Sequence, residues 1–169
     1  TGNFGNILSA YYAKCMGAPI GRLICASNRN DVLTEFLRTG VYDRNRPFYT
    51  TMSPSMDILI SSNLERLLYA LSDGNDAEVR SYMKQLNAEG RYQVSDTVLA
   101  KVRKQFWAGS CGEEDTMDTI RRYYTQRNYL MDTHTAVAAH VLEQYRAESG
   151  DGGPAVIVST ASPYKFCSP

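Results

Sequence analysis

The chain has 169 residues, 43% of them hydrophobic and 21% charged, which suits one domain with its own core. Eighteen basic and 18 acidic side chains cancel, leaving no global field to recruit nucleic acid or an anionic membrane surface. No apolar run is long enough to span a bilayer, so any anion bound here must be held by local geometry.

The elements follow in chain order. A glycine-rich opening, Thr1-Gly2-Asn3-Phe4-Gly5-Asn6, leads into a helix on which Ile7, Leu8, Tyr11, Tyr12 and Cys15 recur at helical spacing, with Gly17 and Pro19 as the stop. Residues 22–27 are short and apolar, the pattern of a buried parallel strand. Residues 31–39 predict a helix with Val32, Leu33, Phe36 and Leu37 inward and Gly40 closing it. Ser53-Pro54-Ser55-Met56-Asp57 predicts the capped start of a long helix to about Leu71, with Ile60, Leu64, Leu67, Leu68 and Leu71 on its inner face.

Three helices follow, over 76–89, 95–106 and 113–124, the first ended by Gly90 and the second capped by Ser95. They are more polar, and residues 76–126 read as a helical insertion beside a sheet. Another helix begins at Thr133 or Thr135 and reaches about Glu148. The loop 149–154 then precedes an apolar run, residues 155–159, that predicts a buried strand. Thr160 stands just past it, where α/β sheets hold their ligands. The alternation predicts an α/β fold, a partial parallel sheet flanked by helices, in a single domain over residues 1–169.

Cys15, Cys25, Cys111 and Cys167 form no CxxC pair, and only His134 and His140 could join them, so no metal site is expected. Their dispersal suits reduced thiols in a cytoplasmic protein. The chain opens on a loop without methionine and stops straight after a strand-like run, which reads as a fragment.

The chemistry concentrates in the opening loop. Gly2 and Gly5 allow a sharp turn and close backbone approach, and the helix behind them offers unpaired N–H groups and the positive end of its dipole. That combination suits an anion such as phosphate; a plain turn into a helix has the same pattern. The loop is no Walker motif, since no Gly-Lys-Ser/Thr follows, and it lacks the third glycine of a dinucleotide fingerprint. His134 either hydrogen-bonds at a helix start capped by Asp132 or Thr133, or faces a cleft. Asn28, Asn30 and Asp31 suit a strand-to-helix turn or substrate contact.

The opening loop resembles that of threonine synthases. So do Ala26-Ser27-Asn28-Arg29-Asn30-Asp31, Ser53-Pro54-Ser55-Met56-Asp57-Ile58, Ser61-Ser62-Asn63-Leu64-Glu65-Arg66, Asp132-Thr133-His134-Thr135-Ala136 and Ser159-Thr160-Ala161-Ser162-Pro163, in the same order. The resemblance implies a fold-type II pyridoxal-phosphate enzyme that converts O-phospho-L-homoserine and water to L-threonine and phosphate. It implies that Gly2, Asn3, Phe4, Gly5 and Asn6 cradle the cofactor's phosphate and that Thr160 faces the pyridine nitrogen. It also implies that the Schiff-base lysine lies upstream, in a part of the same enzyme this chain lacks. Lys14, Lys84, Lys101, Lys104 and Lys165 are then not catalytic, and the fragment alone is expected to be inactive. The sequence departs from the family at Asn6, where others carry aspartate, and at Ser162, where some carry histidine. Two other readings remain: a related pyridoxal-phosphate phospho-lyase, and a non-catalytic domain binding phosphate-bearing ligands.

Overall fold

Helical spacing and glycine stops shape the first forty residues much as expected. The computed structural model describes residues 2–166; Thr1 and Cys167 lie outside the described residues. Helix α1 (Gly5–Cys15) buries Ile7, Leu8 and Tyr11. Strand β1 (Leu23–Ser27) follows, then α2 (Val32–Thr39), whose Val32, Leu33, Phe36 and Leu37 are all buried. Gly40 ends α2 at φ 81°, the left-handed cap that a side chain would oppose.

The partner of β1 is not the apolar run near the end of the chain. It is β4 (Phe106–Ser110), parallel to β1 from Leu23 opposite Phe106 to Ser27 opposite Ser110. Residues 76–126 are therefore woven into the sheet as well as supplying α4 (Asp76–Glu89), α5 (Asp96–Gln105) and α6 (Glu113–Arg127). A second, antiparallel pair joins β2 (Val41–Asp43) to β3 (Arg91–Gln93). Residues 155–159 form no strand among the described residues; Val156 is 91% exposed. An apolar run becomes a strand only where a neighbouring backbone can take its hydrogen bonds. Here Ile157 alone packs inward, against Met131, Ala136 and Ala139.

The long helix expected from Ser53 is also broken. A single 3-10 turn, Pro54–Met56, is followed by irregular chain, and α3 (Leu64–Leu71) starts only at Leu64. Ser53 makes no side-chain cap, and Ile60 is 47% exposed. Leu64, Leu67, Leu68 and Leu71 do form the buried face. Ser95 and Asn75 cap α5 and α4 by accepting from Val98 N–H and Glu78 N–H. Asp132 caps the last helix, α7 (Thr133–Ser149). The result is a helix-rich α/β fold with a small parallel sheet, in which no described helix is long and apolar enough to cross a membrane.

An aromatic column lies between α2 and the β2–β3 pair. The Tyr42 and Tyr92 rings stack at 5.3 Å, Tyr82 stacks on Tyr92 at 5.4 Å, and Phe36 meets both strand tyrosines edge-on. Tyr42 Oη donates to the Leu59 carbonyl and accepts from Ser61 N–H. Burial pushes its hydroxyl up to about 12 from an ordinary 10.0, and burial raises Tyr92 well above that value too. The folded state thus holds phenolic protons that the unfolded chain releases near pH 10. Stability from these groups is complete below the unfolded value and is lost as pH climbs through the folded value. The urea midpoint is therefore expected to fall between about pH 10 and 12, and Tyr92→Phe, which keeps the ring, should flatten the fall. An equally steep fall in Tyr92→Phe would show that ionisation elsewhere drives it.

Candidate functional site

The opening loop is shaped by where its two buried residues go. Phe4 is fully buried, 5.8 Å from the Phe106 ring, although its backbone takes the left-handed φ of 64° that side chains disfavour. The ring anchors the loop in the core, and the strained backbone turns the chain into α1. Gly2, also left-handed at φ 42°, presses against the 3-10 turn, where an added Cβ would lie 2.5 Å from the Ser55 carbonyl oxygen. Only glycine fits there.

The loop's carbonyls are drawn toward the start of α3. Asn63 Nδ2 donates to Asn3 O at 2.8 Å, and Ser61 Oγ lies 3.4 Å from Gly2 O. The amides are left over. Among the described residues the first backbone bond of this turn runs from Leu8 N–H to Phe4 O, so the first-turn N–H groups of Gly5, Asn6 and Ile7 have no helical acceptor there, and Asn3, Gly5 and Asn6 are exposed. An anion seated here meets oriented N–H donors and the positive end of an 11-residue helix. No lysine or arginine is needed, so the loop fits a phosphate group without help from the chain's balanced charge.

Behind the 3-10 turn lies a buried polar hub that the sequence did not reveal. Asn28 is fully buried and donates through Nδ2 to Asp57 Oδ1 at 2.7 Å and Thr51 Oγ1 at 2.8 Å. Asn30 donates to the same Asp57 oxygen at 2.9 Å and pairs with both backbone groups of Tyr49. Thr51 gives Asp57 two more bonds, from its N–H at 2.9 Å and its hydroxyl at 2.7 Å. Asp57 was expected to answer a helix dipole; it instead ties the end of β1 to the 49–57 segment. Asn28 and Asn30 are consequently committed to the fold, while Asp31 pairs with Arg46.

The turn is held from its other side by His134. Its Nδ1 lies 3.0 Å from Asp132 Oδ1, and its Nε2 accepts the Ser55 N–H at 3.1 Å. A neutral ring protonated on Nδ1 satisfies both partners. Asp132 also accepts from His134 N–H, Thr135 N–H and the Thr135 hydroxyl. The cap reading of His134 therefore holds, with an added contact to the turn beneath Gly2. Thr135 Oγ1 further contacts Ser159 Oγ at 2.9 Å, and Thr160, exposed, is the next residue. One hydrogen-bonded path thus runs from the neighbour of Thr160 through Asp132 and His134 to Ser55, against which Gly2 packs. Lys14 and Lys101 are engaged elsewhere, with Gly21 O and with Asp73.

No profile of a known protein family matches the chain. Individual proteins do. The chain is 42% identical over 167 residues to threonine synthase-like 1 of Pongo abelii, covering 98% of this chain and 22% of that protein. The PLP-bound threonine synthase of Brucella melitensis superposes with a TM-score of 0.91 at 41% identity, over 98% of this chain and 35% of that structure. Threonine synthase from yeast gives a TM-score of 0.92 at 39% identity over the same shares. The chain spans about a third or less of the length of these relatives.

Proposed function

From a chain that is homologous to threonine synthases along nearly its whole length, we propose part of the cofactor-binding domain of a pyridoxal-phosphate lyase that makes L-threonine and phosphate from O-phospho-L-homoserine and water. The observation that carries this is the superposition on the PLP-bound Brucella melitensis enzyme over 98% of the chain. Bound pyridoxal phosphate would supply an electron sink for the amino acid's α-carbon, the chemistry on which phosphate loss and water addition both depend.

The residues of this chain would divide the work of holding that cofactor. The amides of the Gly2–Asn6 loop would grip its phosphate, with the loop fixed by Phe4 in the core and by Asn63 on the Asn3 carbonyl. Asn6 is uncharged and so avoids placing a negative charge beside that phosphate. Thr160 would offer a neutral hydroxyl to the pyridine nitrogen and so leave it unprotonated. These 169 residues alone are proposed to be inactive, the lysine that binds the cofactor being supplied by another part of the same enzyme. The buried thiol of Cys111 suits the cytoplasm.

The rival enzyme is a related pyridoxal-phosphate phospho-lyase acting on the same phosphorylated amino acid. That enzyme would instead release 2-oxobutyrate, ammonia and phosphate from the same substrate and water. The test is to incubate the whole protein with pyridoxal phosphate and O-phospho-L-homoserine and quantify products. Threonine equimolar with phosphate supports the proposal, and 2-oxobutyrate with ammonia favours the phospho-lyase. Saturable cofactor binding without any phosphate release would leave only a binding domain.

A further inference from the structure

Away from the glycine loop, three side chains of different chemistry meet where β4 ends. Cys111 follows β4 directly and is 2% exposed, Asp115 lies in the first turn of α6, and His140 sits midway along α7. The Cys111 sulfur, an Asp115 carboxylate oxygen and a His140 ring nitrogen all lie within 4.8 Å of one another. His140 Nε2 is 4.0 Å from Asp115 Oδ2. We propose that these residues form a binding site for one divalent, borderline-soft metal ion, zinc before all others.

Geometry and charge both support the assignment. Tetrahedral zinc with bonds of about 2.0–2.3 Å holds its ligand atoms about 3.6 Å apart, so the trio, within 4.8 Å, needs to contract by about 1.2 Å at most. Asp115, with 59% of its side chain exposed, is free enough to supply that movement. A thiolate, a carboxylate and a neutral imidazole carry two negative charges, the complement of a dication. The thiolate disfavours magnesium and calcium, which take oxygen donors. On binding, the thiol proton passes to solvent as the sulfur–metal bond forms. Thr116 Oγ1, 3.3 Å from the sulfur, stands as the outer-sphere partner.

Three protein ligands leave a fourth position for water: Cys111 and Asp115 stand four residues apart at the junction of β4 and α6, and His140 comes from α7. The sequence could not announce such a set, because its spacing is fixed by how α6 and α7 pack rather than by a local motif. Elsewhere along the same two helices, Arg122 grips both carboxylate oxygens of Glu143 at 2.8 and 2.7 Å. A metal at the strand end would be a second clamp between α6 and α7.

The experiment is a cobalt(II) titration of the metal-free protein, followed by thiolate-to-cobalt charge-transfer absorption, with zinc competition. One ion per chain is expected, displaced by zinc. Cys111→Ser should abolish the band, and exposed Cys15→Ser should keep it. Since Cys111 is buried and its variant could misfold, His140→Gln and Asp115→Asn provide the independent arms. Each should weaken cobalt binding by no less than the roughly 10–100-fold that loss of an outer-sphere partner costs. Absence of a cobalt band in the folded wild-type protein overturns the site. So does a band that survives His140→Gln and Asp115→Asn with unchanged affinity.

Discussion

Asp57→Ala is expected to destabilise the protein by about 3–5 kcal/mol, enough to unfold a marginal domain. The carboxylate accepts four hydrogen bonds, from Asn28, Asn30 and twice from Thr51. Asn28 is fully buried, so its amide cannot turn to bulk water when the acceptor is removed. A buried donor left unpaired costs about 1–3 kcal/mol, and hydrogen bonds to a charged group contribute about 1.5–3 kcal/mol each before non-additivity is allowed for. Asp57→Asn should not rescue it fully: its amide oxygen can take the three bonds made to Oδ1, but its amide nitrogen then faces the Thr51 N–H that Oδ2 accepts. A loss of about 2 kcal/mol is expected for that variant. Urea unfolding of both variants measures the difference, and a midpoint within error of wild type for Asp57→Ala would show that the hub is dispensable.

Gly2→Ala should strike the cofactor rather than the core. The left-handed φ of 42° costs an alanine about 1–2 kcal/mol. The added Cβ would also sit 2.5 Å from the Ser55 carbonyl oxygen, in a turn whose Ser55 N–H is bound by His134. The loop must move, and the first-turn amides move with it. A loss of about 2–3 kcal/mol in cofactor binding corresponds to a thirtyfold to 150-fold weaker affinity, roughly. Gly17→Ala is the control: its φ of 99° imposes similar backbone strain, but nothing lies within 4 Å of the new Cβ. That variant should lose stability while keeping its affinity for pyridoxal phosphate. Equal affinities for the two variants, measured by cofactor titration of the whole protein, would remove the loop from the cofactor site.

How much of this was legible in the sequence depends on whether the information was local. Caps and stops were readable, because Ser95, Asp132, Gly40 and Gly90 act on backbone groups within a turn of themselves. Strand β4 was not: Phe106 to Ser110 follows a helix without a break and has no alternation, since both of its faces pack. The three-residue strands β2 and β3 are too short to show any period. Residues 155–159 show the opposite error, as apolar composition signals a wish for burial but names no partner. In the candidate site, the glycine loop was visible through residue type alone. The hub at Asp57 was not, because its partners converge from 6 to 29 residues away. The Ser55–His134 contact joins residues 79 apart, and no local pattern encodes it.

The parallel pairing of β1 with β4 also sets a timetable for synthesis. Contacts that tie the first strand and its neighbours to the fourth join residues 70 to 84 positions apart. A ribosome adding roughly 5–20 residues per second keeps β1 without its partner for roughly 4 to 17 s. Throughout that interval the apolar residues Leu23, Ile24, Cys25 and Ala26 have an unsatisfied strand edge in the nascent chain. Closing so long a loop slows folding more than it weakens the final structure. Nascent chains stalled before Phe106 should therefore be the ones that chaperones hold and proteases cut, and chains extended past Ser110 should escape both.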